Sequence, residues 1–287
     1  MKDLSSADLE KNVPLVARRH DGDKVTVRVG AHEIGGDRIT VIAGPCTVET
    51  REQLLDIAKH VKEFGAVLLR GGAFKPLTFP YRSATTFELR EKGLELLAEA
   101  RRVHGLPVVT EVMDVRLVET VAEHADMLQL GARSMQNFPL LEEAARSGRP
   151  ILLKRHPGAS LRDWLGAAEY LYYHGNTNVV LCERGVVAPH THEPTSRFIV
   201  DLQVIPAVRE YSRLPVIVDP SHATFKRRYV PPVARGAVAV GADGVMLDVH
   251  PDPERAAVDP LQGLDYAAFA SLMGELRAVA AAVGRSL

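Results

Sequence analysis

The segment Arg70-Gly71-Gly72-Ala73-Phe74-Lys75 sets two cations around a glycine pair, directly after the apolar run Ala66-Val67-Leu68-Leu69. Arginine offers a planar fork for two-point contact with a carboxylate or phosphate, lysine offers a point charge, and glycine lets the backbone approach a ligand. Arg133, Lys154 and Arg184 also fall just past apolar runs. Five cations aimed at one cavity would repel one another unless an anion lay among them, and a small phosphorylated carboxylate carries the charge required. A second set is of another kind: Cys46, His222, Asp248 and Asp259. A thiolate, an imidazole and carboxylates suit a borderline divalent metal such as Mn, Zn, Fe or Co. No local spacing joins these four, so only a fold that gathers distant strand ends could do so. Each residue alone has a plainer reading. Most free cysteines are small buried hydrophobes, a rim histidine can simply be hydrogen-bonded, and Arg155 reads as surface charge.

The elements that would position these groups follow a rhythm. Short apolar runs occupy 39–44, 66–70, 106–111, 127–131, 150–155, 178–183, 214–219 and 244–248, eight in all. Between them lie segments with helical spacing, such as Leu54, Leu55, Ala58, Val61 and Phe64, or Leu161, Trp164, Leu165, Ala168 and Leu171. Continuous apolar strands alternating with helices imply a parallel sheet covered on both faces. Eight such units predict an α/β fold, a single (β/α)8 TIM barrel over 38–287. An open doubly wound sheet is the rival, but no Gly-x-Gly-x-x-Gly follows the first run. Ahead of the barrel, Val25-Thr26-Val27-Arg28-Val29 alternates and Gly30 to Gly36 turns, so 1–37 reads as a short extension with a hairpin. No segment there has the size of a regulatory domain, and feedback control is not expected.

Bulk properties exclude other classes. The 287 residues are 46% hydrophobic and 25% charged, ordinary for a globular protein with a large core. A net charge of −1 argues against nucleic acid or an anionic membrane as partner. No apolar run approaches the ~20 residues that span a bilayer, and the N-terminus lacks the apolar core of a signal peptide. Two cysteines make no disulfide framework, which predicts a cytoplasmic protein.

Several stretches carry a resemblance. They are Gly44-Pro45-Cys46, Arg70-Gly71-Gly72-Ala73-Phe74-Lys75-Pro76, Thr110-Glu111-Val112-Met113-Asp114, Gly131-Ala132-Arg133-Ser134-Met135-Gln136-Asn137, Leu152-Leu153-Lys154-Arg155, Cys182-Glu183-Arg184-Gly185, Val218-Asp219-Pro220-Ser221-His222-Ala223-Thr224 and Val249-His250-Pro251-Asp252-Pro253. In this order they resemble the type I beta 3-deoxy-7-phosphoheptulonate (DAHP) synthases, close to the 3-deoxy-octulosonate-8-phosphate synthases. The resemblance covers residues 25–285 or so. It implies a barrel that adds phosphoenolpyruvate to an aldehyde with a divalent metal, releases phosphate, and works as a homodimer or homotetramer. It puts the donor's phosphate on Arg133 and Arg184 and its carboxylate on Lys75 and Lys154, with Arg70 nearby. It puts the metal on Cys46, His222, Asp248 and Asp259, and gives Glu111 the attacking water. Cys46 is informative, since part of the superfamily has asparagine there and works without metal.

Departures from the family fall on the acceptor side. Where the family has Lys-Pro-Arg-Thr-Ser-Pro-Tyr, this chain has Lys75-Pro76-Leu77-Thr78-Phe79-Pro80-Tyr81, so Leu77 replaces the arginine that grips the acceptor's phosphate and Phe79 replaces serine. The usual Thr-Arg-Asn-Thr is Ser196-Arg197-Phe198-Ile199, and His156-Pro157-Gly158-Ala159-Ser160 stands for Gly-Met-Ser-Ala-Thr. The usual glutamate is Asp248. Loss of a charged phosphate contact costs about 1.5–3 kcal/mol. These changes predict an acceptor altered from erythrose 4-phosphate. One alternative is a genuine DAHP synthase whose phosphate grip has moved to Arg82, Arg197, Lys226 or Arg227. Another is a silent phosphoenolpyruvate-binding homologue, which retention of the donor cations and metal-competent groups disfavours. The loop His190-Thr191-His192 reads as solvated.

Overall fold

The computed structural model describes residues 6–75, 88–189 and 197–287. A hairpin comes first, with β1 (Val27–Val29) antiparallel to β2 (His32–Ile34). Each apolar run then forms a strand: β3 (Thr40–Gly44), β4 (Leu68–Arg70), β5 (Val108–Val112), β6 (Met127–Leu130), β7 (Ile151–Lys154), β8 (Val179–Glu183), β9 (Val216–Val218) and β10 (Gly244–Asp248). Neighbours in sequence are neighbours in space, all parallel, and β10 closes onto β3. The closed barrel is the predicted one.

Although the runs look uniformly apolar, period-two alternation divides them into two cores. One set, including Val41, Leu69, Val108, Leu128, Leu153, Leu181, Val216 and Val245, packs under the helices. The other set fills the barrel: Ile42, Leu68, Val109, Met127, Leu152, Val180, Ile217 and Met246. Val27, Val29 and Ile34 of the hairpin join this inner set, so the hairpin plugs the barrel's N-terminal end. Parallel strands send every C-terminal end to the opposite rim. Two residues beyond the inner apolar layer, the same alternation turns Arg70, Glu111, Gln129, Lys154, Asp219 and Asp248 inward.

The helices are set by local signals. Helix Arg51–Phe64 starts at Thr50, whose side chain accepts from the Gln53 N–H, and ends at left-handed Gly65. Its buried face is Leu54, Ile57, Ala58 and Val61. Helix Leu161–Tyr173 opens on a capping box between Ser160 and Asp163. Its Trp164 is fully buried and donates from Nε1 to the Leu153 carbonyl, 3.1 Å away, fixing helix to strand. Among the described residues no helix is long and apolar enough to cross a membrane.

Candidate active site

The polar layer at the top of the barrel is built from paired side chains. Arg70 and Asp248, 4% and 2% exposed, form an ion pair, and Gln262 donates to the same carboxylate. Lys154 meets Asp219 at 2.6 Å, both buried. Gln129 donates to Glu111 at 2.9 Å. Buried charges persist only when paired in this way.

Asp219 is the hub of the layer. It ends the strand β9 run and caps the short helix Pro220–Thr224, accepting the His222 N–H at 3.0 Å through Oδ1. Its Oδ2 faces both Lys154 Nζ and, at 2.9 Å, His222 Nδ1. Burial works to raise the Asp219 carboxyl, but His222 and Lys154 outweigh it and hold the acid well below the ordinary range. Burial presses His222 down to about 3 against the pull of Asp219, so the imidazole is neutral. With Nδ1 set 2.9 Å from the Asp219 carboxylate, Nε2 faces outward.

That nitrogen looks at the thiol and carboxylate expected beside it. Cys46 Sγ lies 3.7 Å from His222 Nε2 and 3.2 Å from Asp259 Oδ2, and His222 Nε2 lies 3.9 Å from the same oxygen. One ligand atom from each falls within 4.8 Å of the others. Asp259 adopts a left-handed backbone (φ 54°), a conformation that aspartate tolerates better than most side chains. Lys75 Nζ stands 3.0 Å from the sulfur. Burial would lower the Lys75 ammonium, yet Cys46, Glu111 and Asp259 together raise it. Sulfur, imidazole nitrogen and carboxylate at these separations fit a divalent cation of the zinc or manganese kind.

Beside the cluster is a cavity of about 350 Å³. Lys75, Arg133, Lys154, Arg184 and Arg197 line it, against two carboxylates, Glu111 and Asp259. The excess of positive charge calls for an anionic ligand. Arg184 donates to the His222 carbonyl at 3.1 Å and stacks on Phe198, 4.5 Å from its ring centre. Gly131 also serves the site, since a Cβ there would collide with the Glu111 carboxylate.

Four expectations change. Arg70 does not line the cavity, because Asp248 holds it. Asp248 stands outside the three-donor cluster: Arg70 and Gln262 occupy its oxygens, and its nearest approach to His222 is 3.8 Å. Arg155 is no surface charge, being buried against Glu183 at 3.0 Å and Asp201 at 2.9 Å. Of the relocated phosphate grips, Arg197 lines the cavity, whereas Arg227 is bonded to the Gly263 and Pro260 carbonyls and Glu254. Leu77, Phe79, Arg82 and the His190–His192 loop lie outside the described residues. The part played by Asp219, Gln129 and Gln262 escaped the sequence reading, whereas Phe198, expected to make the pocket more apolar, lines the cavity. For Asp219 a signal existed, as a carboxylate three residues before His222 at a strand end.

A closed parallel barrel whose C-terminal rim sets a Cys–His–Asp cluster beside converging arginines and lysines defines a class, the barrel enzymes that handle a small polyanion next to a metal. Within that class, the DAHP synthetase I family matches residues 23–282, and the chain belongs to this family. It is 43% identical over 275 residues to the phospho-2-dehydro-3-deoxyheptonate aldolase of Thermotoga maritima, covering 96% of this chain and 79% of that protein. It is 32% identical over 269 residues to the 2-dehydro-3-deoxyphosphooctonate aldolase of Magnetococcus marinus, covering 88% and 90%. A crystal structure of the Thermotoga maritima DAHP synthase superposes with a TM-score of 0.88 at 42% identity, over 95% of this chain and 78% of that one. The expected change of acceptor finds no support here, since the Thermotoga relative is itself a heptonate aldolase.

Proposed function

We propose that the protein is a metal-dependent DAHP synthase that joins phosphoenolpyruvate to erythrose 4-phosphate. The observation that carries this is the cavity in which five cations face two carboxylates beside Cys46, His222 and Asp259. Arg133 and Arg184 hold the donor's phosphate, and Lys75 and Lys154 hold its carboxylate. A divalent metal on Cys46, His222 and Asp259 would supply a Lewis acid for the aldehyde oxygen. C3 of the donor attacks the aldehyde carbon, and positive charge develops at C2. Glu111, oriented by Gln129, takes a proton from the water that adds at C2. The C2–O bond then breaks, and the C2 hydroxyl gives up its proton to the departing phosphate as C2=O forms. Inorganic phosphate leaves on Arg133 and Arg184, and the proton taken by Glu111 passes to the former aldehyde oxygen. Arg197 takes the acceptor's phosphate in place of the arginine that Leu77 replaces.

A second reading keeps the donor half and changes the acceptor. It rests on Leu77, on Phe79, and on Phe198, whose ring lies in the cavity wall. The cytoplasm suits two free cysteines, and a homodimer or homotetramer follows from the family resemblance. The test offers erythrose 4-phosphate and arabinose 5-phosphate together with phosphoenolpyruvate and reads product mass. A seven-carbon product supports the reading. An eight-carbon product, or none from either sugar, overturns it in favour of another acceptor.

A further inference from the structure

Arg197 is held in an unusual way. Its guanidinium carbon lies 5.5 Å from the Phe198 ring centre and 5.2 Å from that of Phe225, both within reach of a cation–π contact. Phe225 closes the short helix Pro220–Thr224 with φ 57° and ψ 16°, a left-handed conformation that bulky side chains adopt only under strain. Glycine or asparagine would end that helix without strain. What the phenylalanine adds is a ring against Arg197. Phe198 is tied to the same helix, its N–H bonded to the Ala223 carbonyl at 2.9 Å. The close approach of Phe198 is possible because residue 185 is glycine, where a Cβ would meet the Phe198 Cβ. The Phe198 ring also carries Arg184, so one aromatic side chain serves two cavity cations.

A cation–π contact holds a guanidinium without using its N–H groups, which stay available for two-point contact with a phosphate. We propose that Phe198 and Phe225 are positioning residues that fix Arg197 as the clamp for the acceptor's phosphate, with Phe198 setting the spacing between that clamp and Arg184. This rests on the functional reading above, in which Arg184 binds the donor. A flexible arginine would lose side-chain entropy on binding, and the rings remove much of that cost beforehand.

The two rings make different contacts, which gives a selective test. Phe225→Asn removes the ring that touches Arg197 while asparagine still tolerates the left-handed backbone. The expected result is a rise of about 3- to 30-fold in KM for erythrose 4-phosphate. The KM for phosphoenolpyruvate and the thermal midpoint should not fall or rise appreciably, and Phe225→Tyr should keep the wild-type value. Arg197→Ala, measured alongside, should raise the same KM at least as much. An active wild type with an indifferent Phe225→Asn variant, or with equal rises in both KM values, would overturn the clamp alone. A wild type that makes no product from erythrose 4-phosphate would overturn the functional reading and the clamp with it.

Discussion

Replacing Asp219 by asparagine probes the hub of the site without changing its shape. Oδ2 accepts from Lys154 Nζ at 2.6 Å and lies 2.9 Å from His222 Nδ1, while Oδ1 accepts the His222 N–H at 3.0 Å. An amide has one acceptor atom. If its oxygen takes the Oδ2 position, its NH2 confronts the backbone N–H; if it flips, the NH2 confronts both the ammonium and the imidazole. At least one charge-assisted hydrogen bond is lost, worth about 1.5–3 kcal/mol. His222 then loses the partner that fixes its tautomer and aims Nε2 at Cys46 and Asp259. Loss of such a support costs roughly 10- to 100-fold in metal affinity. The assay is competition for Mn²⁺ or Zn²⁺ against a chelator of known strength, with circular dichroism to confirm the fold. A Kd within twofold of wild type would refute the claim that Asp219 orients His222.

Two further outcomes follow from the same geometry. Arg184→Ala should raise KM for phosphoenolpyruvate by roughly 10- to 100-fold, the value of charged phosphate hydrogen bonds, and KM for the acceptor much less; steady-state kinetics with each substrate varied would contradict the placement if both rose alike. His222 titrates near 3 when folded and near 6.5 when unfolded, so between those values the unfolded chain binds more protons and stability falls as pH falls. In metal-free protein its imidazole resonances should therefore stay in the neutral form across the neutral range, and a transition at the ordinary histidine pKa would contradict this.

The barrel was legible because its strands are continuous apolar runs separated by segments with helical spacing, such as Leu54, Leu55, Ala58, Val61 and Phe64. Lys75, Glu111, Arg133, Lys154 and Arg184 were legible because each closes or follows such a run, and the structure lines one cavity with all five. Arg70 and Asp248 share that sequence signature but meet one another instead, a pairing between the ends of β4 and β10 that no sequence spacing discloses. Arg155 was misread for the same reason: its partners Glu183 and Asp201 come from elsewhere in the chain. Asp219 was visible as a carboxylate, yet its role depends on Lys154 reaching it from β7, with β8 between the two strands. Propensity and period report what one element buries, whereas side-chain pairing across strands is decided by register.

The most direct measurement is phosphate release from phosphoenolpyruvate and erythrose 4-phosphate by the purified enzyme, before chelation, after it, and after Mn²⁺ is restored, with Cys46→Ser in parallel. The prediction is release that chelation abolishes and Mn²⁺ recovers, and a folded Cys46→Ser variant that loses it under all three conditions. Undiminished release from the chelated enzyme, or from Cys46→Ser, would contradict a metal on Cys46, His222 and Asp259.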